Sequence, residues 1–179
     1  TDIGAINSKM QLDKIKALIQ SGKDEGGIIY QPEFDLPKNG YFYKPTLISN
    51  VSQSHRVVQE EIFGPILPVL SYEKLEDAID FVKKREHPLG LYIFTESSRE
   101  REKVLRETVS GGVSVNEVLY QFVCETLPFG GVGASGMGAY HGQVGFDTFS
   151  HLKPIFIQPR LNFVFFLMPP VTPLKRLIA

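Results

Sequence analysis

Residues 128–142 read PFGGVGASGMGAYHG, and within them Gly131, Gly133 and Gly136 have the spacing of a G-x-G-x-x-G phosphate-cradling turn. A dinucleotide fingerprint of that kind needs a strand before it, an amphipathic helix after it, and an acid about 20 residues on to hold the ribose. The context here is different. Pro128 and Phe129 precede the glycines, Gly138, Gly142 and Gly145 follow, and Asp147 lies 11 residues beyond Gly136. No strongly apolar helix opens behind the motif. In a chain with 16 glycines the spacing recurs easily, so the stretch reads as a tightly folded loop whose glycines permit positive φ and close backbone approach.

Upstream of this loop, helical and extended patterns alternate. Met10, Ile15, Leu18 and Ile19 fall on one helical face, with Asn7 or Ser8 as cap and Gly22 as stop. Gly26–Tyr30 suits a short strand, and residues 41–51 give extended, aromatic and β-branched chain after the turn-rich PKNG. The continuously apolar run Ile66–Leu70 predicts a strand buried on both faces, followed by a helix marked by Leu75, Ala78, Ile79 and Val82. Leu89–Thr95 is a strand, Ser97 or Ser98 to about Val109 a helix with a solvated charged face, and Gly112–Val115 a strand. This order predicts an α/β fold with parallel strand pairs. No self-similar period of 20–50 residues and no low-complexity tract interrupts it.

The 179 residues are 42% hydrophobic and 22% charged, which suffices for a sizeable core in one domain or part of one. Lys+Arg 19 stand against Asp+Glu 20, so no charge surplus draws the chain onto nucleic acid or anionic membrane. Cys124 is the sole cysteine, which excludes an internal disulfide and a cysteine-based metal cluster. That fits a reducing compartment, and the expected location is cytoplasmic. The start, TDIGAINSKMQ, lacks both a signal-peptide pattern and an initiator Met, so the chain is read as a piece of something longer. His55, His87, His141 and His151 have no ligand-like grouping, and no metal is expected.

Two longer stretches carry more than spacing does. Residues 127–142, followed by Gly145-Phe-Asp-Thr-Phe-Ser-His151, closely resemble the C-terminal signature of aldehyde dehydrogenases, particularly the class 3 and fatty-aldehyde branch. Gln59-Glu-Glu-Ile-Phe-Gly-Pro65 is similar to that superfamily's E-E-[IV]-F-G-P segment, and it precedes Ser110-Gly-Gly-Val-Ser-Val-Asn116 in the expected order. The resemblance runs from about residue 1 to 158. It implies the C-terminal part of a catalytic domain over residues 1–147, an oligomerisation strand over 148–158, and a C-terminal tail over 159–179.

The resemblance also implies site residues. Glu61 would hold the ribose on the nicotinamide side of NAD or NADP, and Phe63 would pack near the nicotinamide ring. A carboxylate suits that task because its two oxygens can accept from both vicinal hydroxyls. Taken alone, Glu60-Glu61 would read as a surface acid pair, and adjacent positions on an extended segment point to opposite faces, which weakens any paired-carboxylate hydrolase. Phe129 would line the aldehyde tunnel, where an apolar ring excludes water, and Leu119–Thr126, with Tyr120, Phe122 and Val123, would shape its mouth. Without the resemblance, Phe129 would read as a core phenylalanine, one of 13 Phe.

In the resembling family a thiolate attacks the aldehyde, and a hydride then passes to NAD(P). Cys124 is not assigned that role: the family nucleophile belongs to a different, upstream motif, and a buried structural thiol is expected here. The general base, the oxyanion-hole asparagine and the nucleotide-binding fold are likewise expected upstream, so no catalytic residue is placed in this chain. Asn116 is expected to cap or orient a loop, and His141 to make a loop hydrogen bond.

Two functions of different class follow. The resemblance implies the C-terminal part of an NAD(P)-dependent aldehyde dehydrogenase that oxidises aldehydes to carboxylic acids, expected to be inactive alone and to form a homodimer when whole. Alternatively it is a naturally short, inert homologue that acts by pairing with other subunits. The segment from Asp147 to Gln158 has the extended, partly alternating character of an edge strand, with Pro154 arguing against a central position, and the resemblance implies that it adds to a partner subunit's sheet. The apolar run Phe163–Met168 is far shorter than the roughly 20 residues of a spanning helix, and Pro169-Pro170 would stop it. Fatty-aldehyde members carry a longer anchor. With only Lys175-Arg176 beside Arg160 for lipid attraction, packing of the tail on protein is favoured over peripheral membrane contact.

Overall fold

A computed structural model describes residues 3–161, 164, 168–170 and 172–178. The chain divides into two compact units, Thr1–Ala78 and Ile79–Ala179.

In the first unit, Ser8 caps helix α1 (Lys9–Asp24) by accepting from the Gln11 amide at 3.2 Å. Ile15, Leu18 and Ile19 are buried along the core face of α1, whereas Met10 is 80% exposed. Gly22, read from sequence as the stop, is buried inside the helix, where a Cβ would already meet Ile48 and Val57. The chain leaves α1 through Gly26, whose φ of 93° suits glycine.

Strand β1 (Ile28–Tyr30) pairs antiparallel with β2 (Thr46–Ser49), and β2 pairs parallel with β3 (Ile66–Pro68) after a crossover through the short helix α2 (Arg56–Gln59). Ile48, Ile66 and Val57 close the core against α1. The register places Tyr30, Leu47 and Leu67 side by side on the other face. That face is open, with Leu67 at 61% exposure. The expected burial of Ile66–Leu70 on both faces is therefore corrected: alternation sends Ile66 to the core and Leu67 outward.

Helix α3 (Leu75–Lys83) spans the division between the units. In the second unit, β4 (Gly90–Ile93) and β5 (Gly112–Val115) form a parallel pair joined by α4 (Ser98–Glu107), which Ser97 caps. α4 buries no residue fully, in keeping with its charged face. Beyond β5 come α5 (Tyr120–Val123), a 3₁₀ turn at Gly133–Ser135, α6 (Gly142–Thr148) and α7 (Pro173–Ile178).

The region from Asp147 to Gln158 departs from the sequence reading at its start. Asp147 and Thr148 close α6 rather than open a strand, held by Gln143 Nε2 donating to Asp147 and Thr148 Oγ1 donating to the Val144 carbonyl. Residues 151–159 carry no regular secondary structure, and Leu152, Ile155, Phe156 and Ile157 are each at least 74% exposed. No described helix is long and apolar enough to cross a membrane. Most of the apolar run Phe163–Met168 lies outside the described residues.

Candidate cofactor and substrate sites

The segment Glu60–Pro65 runs from the end of α2 into β3 in the first unit, and two side chains of α1 hold its backbone. Gln11 and Lys14 lie one turn apart on the same helix face. Gln11 Nε2 donates to the carbonyls of Ile62 at 2.8 Å and Phe63 at 3.0 Å, and Lys14 Nζ donates to the Glu61 carbonyl at 2.7 Å. Three consecutive carbonyls are thereby fixed to one rigid element.

That anchoring leaves the side chains of interest outside. Phe63 has φ of 49°, a left-handed conformation that costs a bulky residue of order 1–3 kcal/mol, and its ring is 79% exposed. Glu60 and Glu61 are differentiated by their partners. Arg56 Nε donates to Glu60 at 2.6 Å and holds that carboxyl below the usual range. The exposed Glu61 carboxylate has no hydrogen-bond or ion-pair partner among the described residues. Both of its oxygens remain available to accept.

The second unit holds Phe129 in an aromatic cluster. Its backbone exchanges two hydrogen bonds with Tyr140, each 2.9 Å, as an isolated antiparallel bridge. The half-buried ring meets Phe122 edge-on at 4.9 Å and Tyr140 at 5.5 Å, both favourable aromatic geometries. The glycines behind it form a compact loop and not a phosphate cradle followed by a long helix. A Cβ on Gly131 would run into the Ser135 carbonyl, and one on Gly130 into that of Gly138. The helix that follows, α6, has only 7 residues.

His141 Nδ1 lies 3.3 Å from the Leu127 carbonyl, the loop hydrogen bond its sequence position suggests. Asn116, with φ of 56°, ties the ends of the two strands: its Oδ1 accepts from the Thr95 amide at 2.9 Å and its Nδ2 donates to the Thr95 carbonyl at 3.0 Å. Cys124 corrects the sequence reading. It is exposed, not buried, and the Thr126 hydroxyl 3.2 Å from Sγ, with backbone hydrogen bonds, lowers its pKa. Cys124 is the C-cap of the four-residue helix α5, where its thiol lies open to solvent. Among the described residues no three His, Cys, Asp or Glu side chains gather to hold a metal.

Gln11 and Lys14 went unread in the sequence because both sit among ordinary polar helix positions. Their i, i+3 spacing was visible, but their partners lie 47 to 52 residues away.

Comparison with known proteins bears on the same regions. Residues 1–155 match the family described as "Aldehyde dehydrogenase family". The chain is 46% identical over 145 residues to aldehyde dehydrogenase family 3 member A2 of Rattus norvegicus, covering 81% of this chain and 29% of that protein. It is 43% identical over 169 residues to a probable coniferyl aldehyde dehydrogenase of Pseudomonas aeruginosa, covering 94% and 35%. Against the dimeric NADP-preferring aldehyde dehydrogenase of Rattus norvegicus it is 40% identical over 161 residues, covering 90% and 34%.

Among solved structures, the substrate-bound state of Staphylococcus aureus AldH superposes with a TM-score of 0.79 at 40% identity, covering 90% of this chain and 34% of that one. An indole-3-acetaldehyde dehydrogenase complexed with NAD+ gives 0.77 at 29% identity, covering 86% and 31%. The fold is thus that of part of the aldehyde dehydrogenases on which it superposes. The chain belongs to the aldehyde dehydrogenase family. It spans about a third of the length of these relatives.

Proposed function

We propose that this chain is the C-terminal part of an NAD(P)-dependent aldehyde dehydrogenase that oxidises aldehydes to carboxylic acids. One observation carries the reading. The Glu61 carboxylate, without a partner among the described residues, and the outward ring of Phe63 are presented together on a segment that Gln11 and Lys14 pin to α1.

The arrangement fits the nicotinamide half of NAD(P). Glu61 would accept hydrogen bonds from the vicinal ribose hydroxyls, and Phe63 would offer a flat apolar surface to the ring, at a position its left-handed backbone enforces. The cofactor, when bound, supplies a hydride acceptor. On the substrate side, Phe129 and Phe122 would contribute apolar wall, excluding water from a hydrophobic aldehyde. Cys124, the sole cysteine, is not assigned as the nucleophile: it sits on an exposed loop with the Thr126 hydroxyl 3.2 Å from its sulfur. The nucleophile and general base are accordingly placed in sequence preceding this chain, and the 179 residues alone are expected to be inactive.

The same reading gives the exposed apolar residues of 151–157 a role. In a homodimer this segment would add to the partner's sheet edge, and a relative named as dimeric and NADP-preferring supports that expectation. The tail is read as packing on protein, and the whole enzyme as cytoplasmic, where a free exposed thiol such as Cys124 persists.

Aldehyde-dependent NAD(P)H formation tests the proposal, measured with the 179-residue chain and with the protein that includes its upstream sequence. Turnover by the longer protein only is the expected result. Turnover by the isolated chain that disappears in Cys124→Ala would overturn both the division of labour and the reading of Cys124.

A further inference from the structure

Gln121 is the one residue of α5 that faces inward. It is 7% exposed, while Tyr120, Phe122 and Val123 on either side are 64%, 45% and 62% exposed. Its side-chain amide bonds to both strands of the second unit. Gln121 Oε1 accepts from the hydroxyl of Ser114 on β5, itself 7% exposed, and the same Ser114 oxygen accepts from the Gln121 backbone amide at 3.3 Å. Gln121 Nε2 donates to the Tyr92 hydroxyl on β4 at 3.2 Å.

The space for this side chain is made by glycines. Gly90 and Gly112 are paired in the β4–β5 register, and a Cβ on Gly112 would lie 3.1 Å from Gln121 Cγ, one on Gly90 3.2 Å from its Nε2. Each strand therefore contributes one glycine to the seat and one hydroxyl to the amide. A buried amide without partners costs about 1–3 kcal/mol, so the bonds to Ser114 and Tyr92 favour this seating of the loop. Leu119 enters α5 at φ of 67°, a strained conformation that persists only where its surroundings fix it.

We infer that Gln121 is the positioning residue that seats the aldehyde-side loop, fixing where Tyr120, Phe122 and Val123 project and hence which apolar aldehydes are held. Phe122 transmits the seating, because its ring lies edge-on to Phe129 at 4.9 Å. The inference rests on the reading of Leu119–Thr126 as the loop at the substrate side given above.

The test uses the enzyme that carries this chain, with Gln121→Leu and Tyr92→Phe variants, acetaldehyde and a long-chain alkanal, and hydrogen exchange over residues 119–124. For Gln121→Leu the KM for the long alkanal rises about tenfold, while its kcat and the KM for acetaldehyde stay within about twofold. Tyr92→Phe removes only the hydroxyl and moves the long-chain KM in the same direction by about threefold, so it carries the test if Gln121→Leu does not fold. Exchange over 119–124 accelerates in both variants, with α4 unchanged. A kcat that falls equally for both aldehydes with KM unmoved would show a merely structural residue and overturn the inference, as would an unaltered ratio of the two KM values. A parent enzyme that turns over no aldehyde removes the functional reading instead, and exchange over 119–124 then decides the clamp by itself: acceleration in Gln121→Leu supports it, and unchanged exchange overturns it.

Discussion

The side-chain amide of Gln11 donates to the carbonyl of Phe63 at 3.0 Å, joining helix α1 to a residue with left-handed backbone 52 positions later. The same nitrogen reaches the Ile62 carbonyl at 2.8 Å. Gln11→Leu removes both bonds and lowers stability by about 1 kcal/mol, the net worth of partly exposed hydrogen bonds. Because the segment then loses its anchor, cofactor affinity falls as well. Urea unfolding together with a cofactor titration checks this, and a variant unchanged in both would show that α1 does not hold the segment.

Phe63 bears a strain that its exposure does not repay. Substituting Gly relieves an αL cost of order 1–3 kcal/mol and surrenders about 0.5–1 kcal/mol to the added freedom of the unfolded chain. Phe63→Gly is therefore expected to be as stable as the parent or slightly more so, yet to bind cofactor more weakly. A clear loss of thermal stability would mean that the ring is needed for packing and not for a ligand.

Cys124 supplies a pH-dependent readout. The Thr126 hydroxyl favours the thiolate, which lowers the thiol pKa. Thr126→Val removes that donor, raises the pKa and shifts the pH profile of Cys124 alkylation upward, so that at neutral pH the variant reacts more slowly. The sign is set by which form the hydroxyl stabilises: fewer thiolates are present at a given pH once it is gone. A profile that does not move would remove Thr126 as the cause.

Particular residues show what the sequence could and could not carry. Ile15, Leu18 and Ile19 announced the buried face of α1, and the pairs Asn7 or Ser8 and Ser97 or Ser98 marked the starts of α1 and α4, where the structure selects Ser8 and Ser97. Gly22 misled, since a glycine that ends a helix and one that lets Ile48 and Val57 approach a helix look alike in sequence. Leu67 was placed in a two-sided interior because an apolar run does not say how many layers cover it. Helix α6 stayed hidden behind Gly142 and Gly145, both poor helix formers. Glu61, Phe63 and Phe129 were singled out through a family resemblance, whereas Gln11, Lys14 and Gln121 depend on contacts that form only when distant elements meet.

The binding of NAD(P) by the Glu61→Gln enzyme tests the account most directly. Glu61 is exposed and has no partner among the described residues, so its replacement leaves the melting temperature unaltered. Hydrogen bonds to a charged group are worth about 1.5–3 kcal/mol, so loss of the carboxylate weakens cofactor binding by about tenfold or more. Calorimetric titration of parent and variant, with thermal melts of both, reads the two quantities together. Weaker binding at equal stability is the predicted result. Equal affinity for NAD(P) in the two proteins would contradict the assignment of this segment to the cofactor.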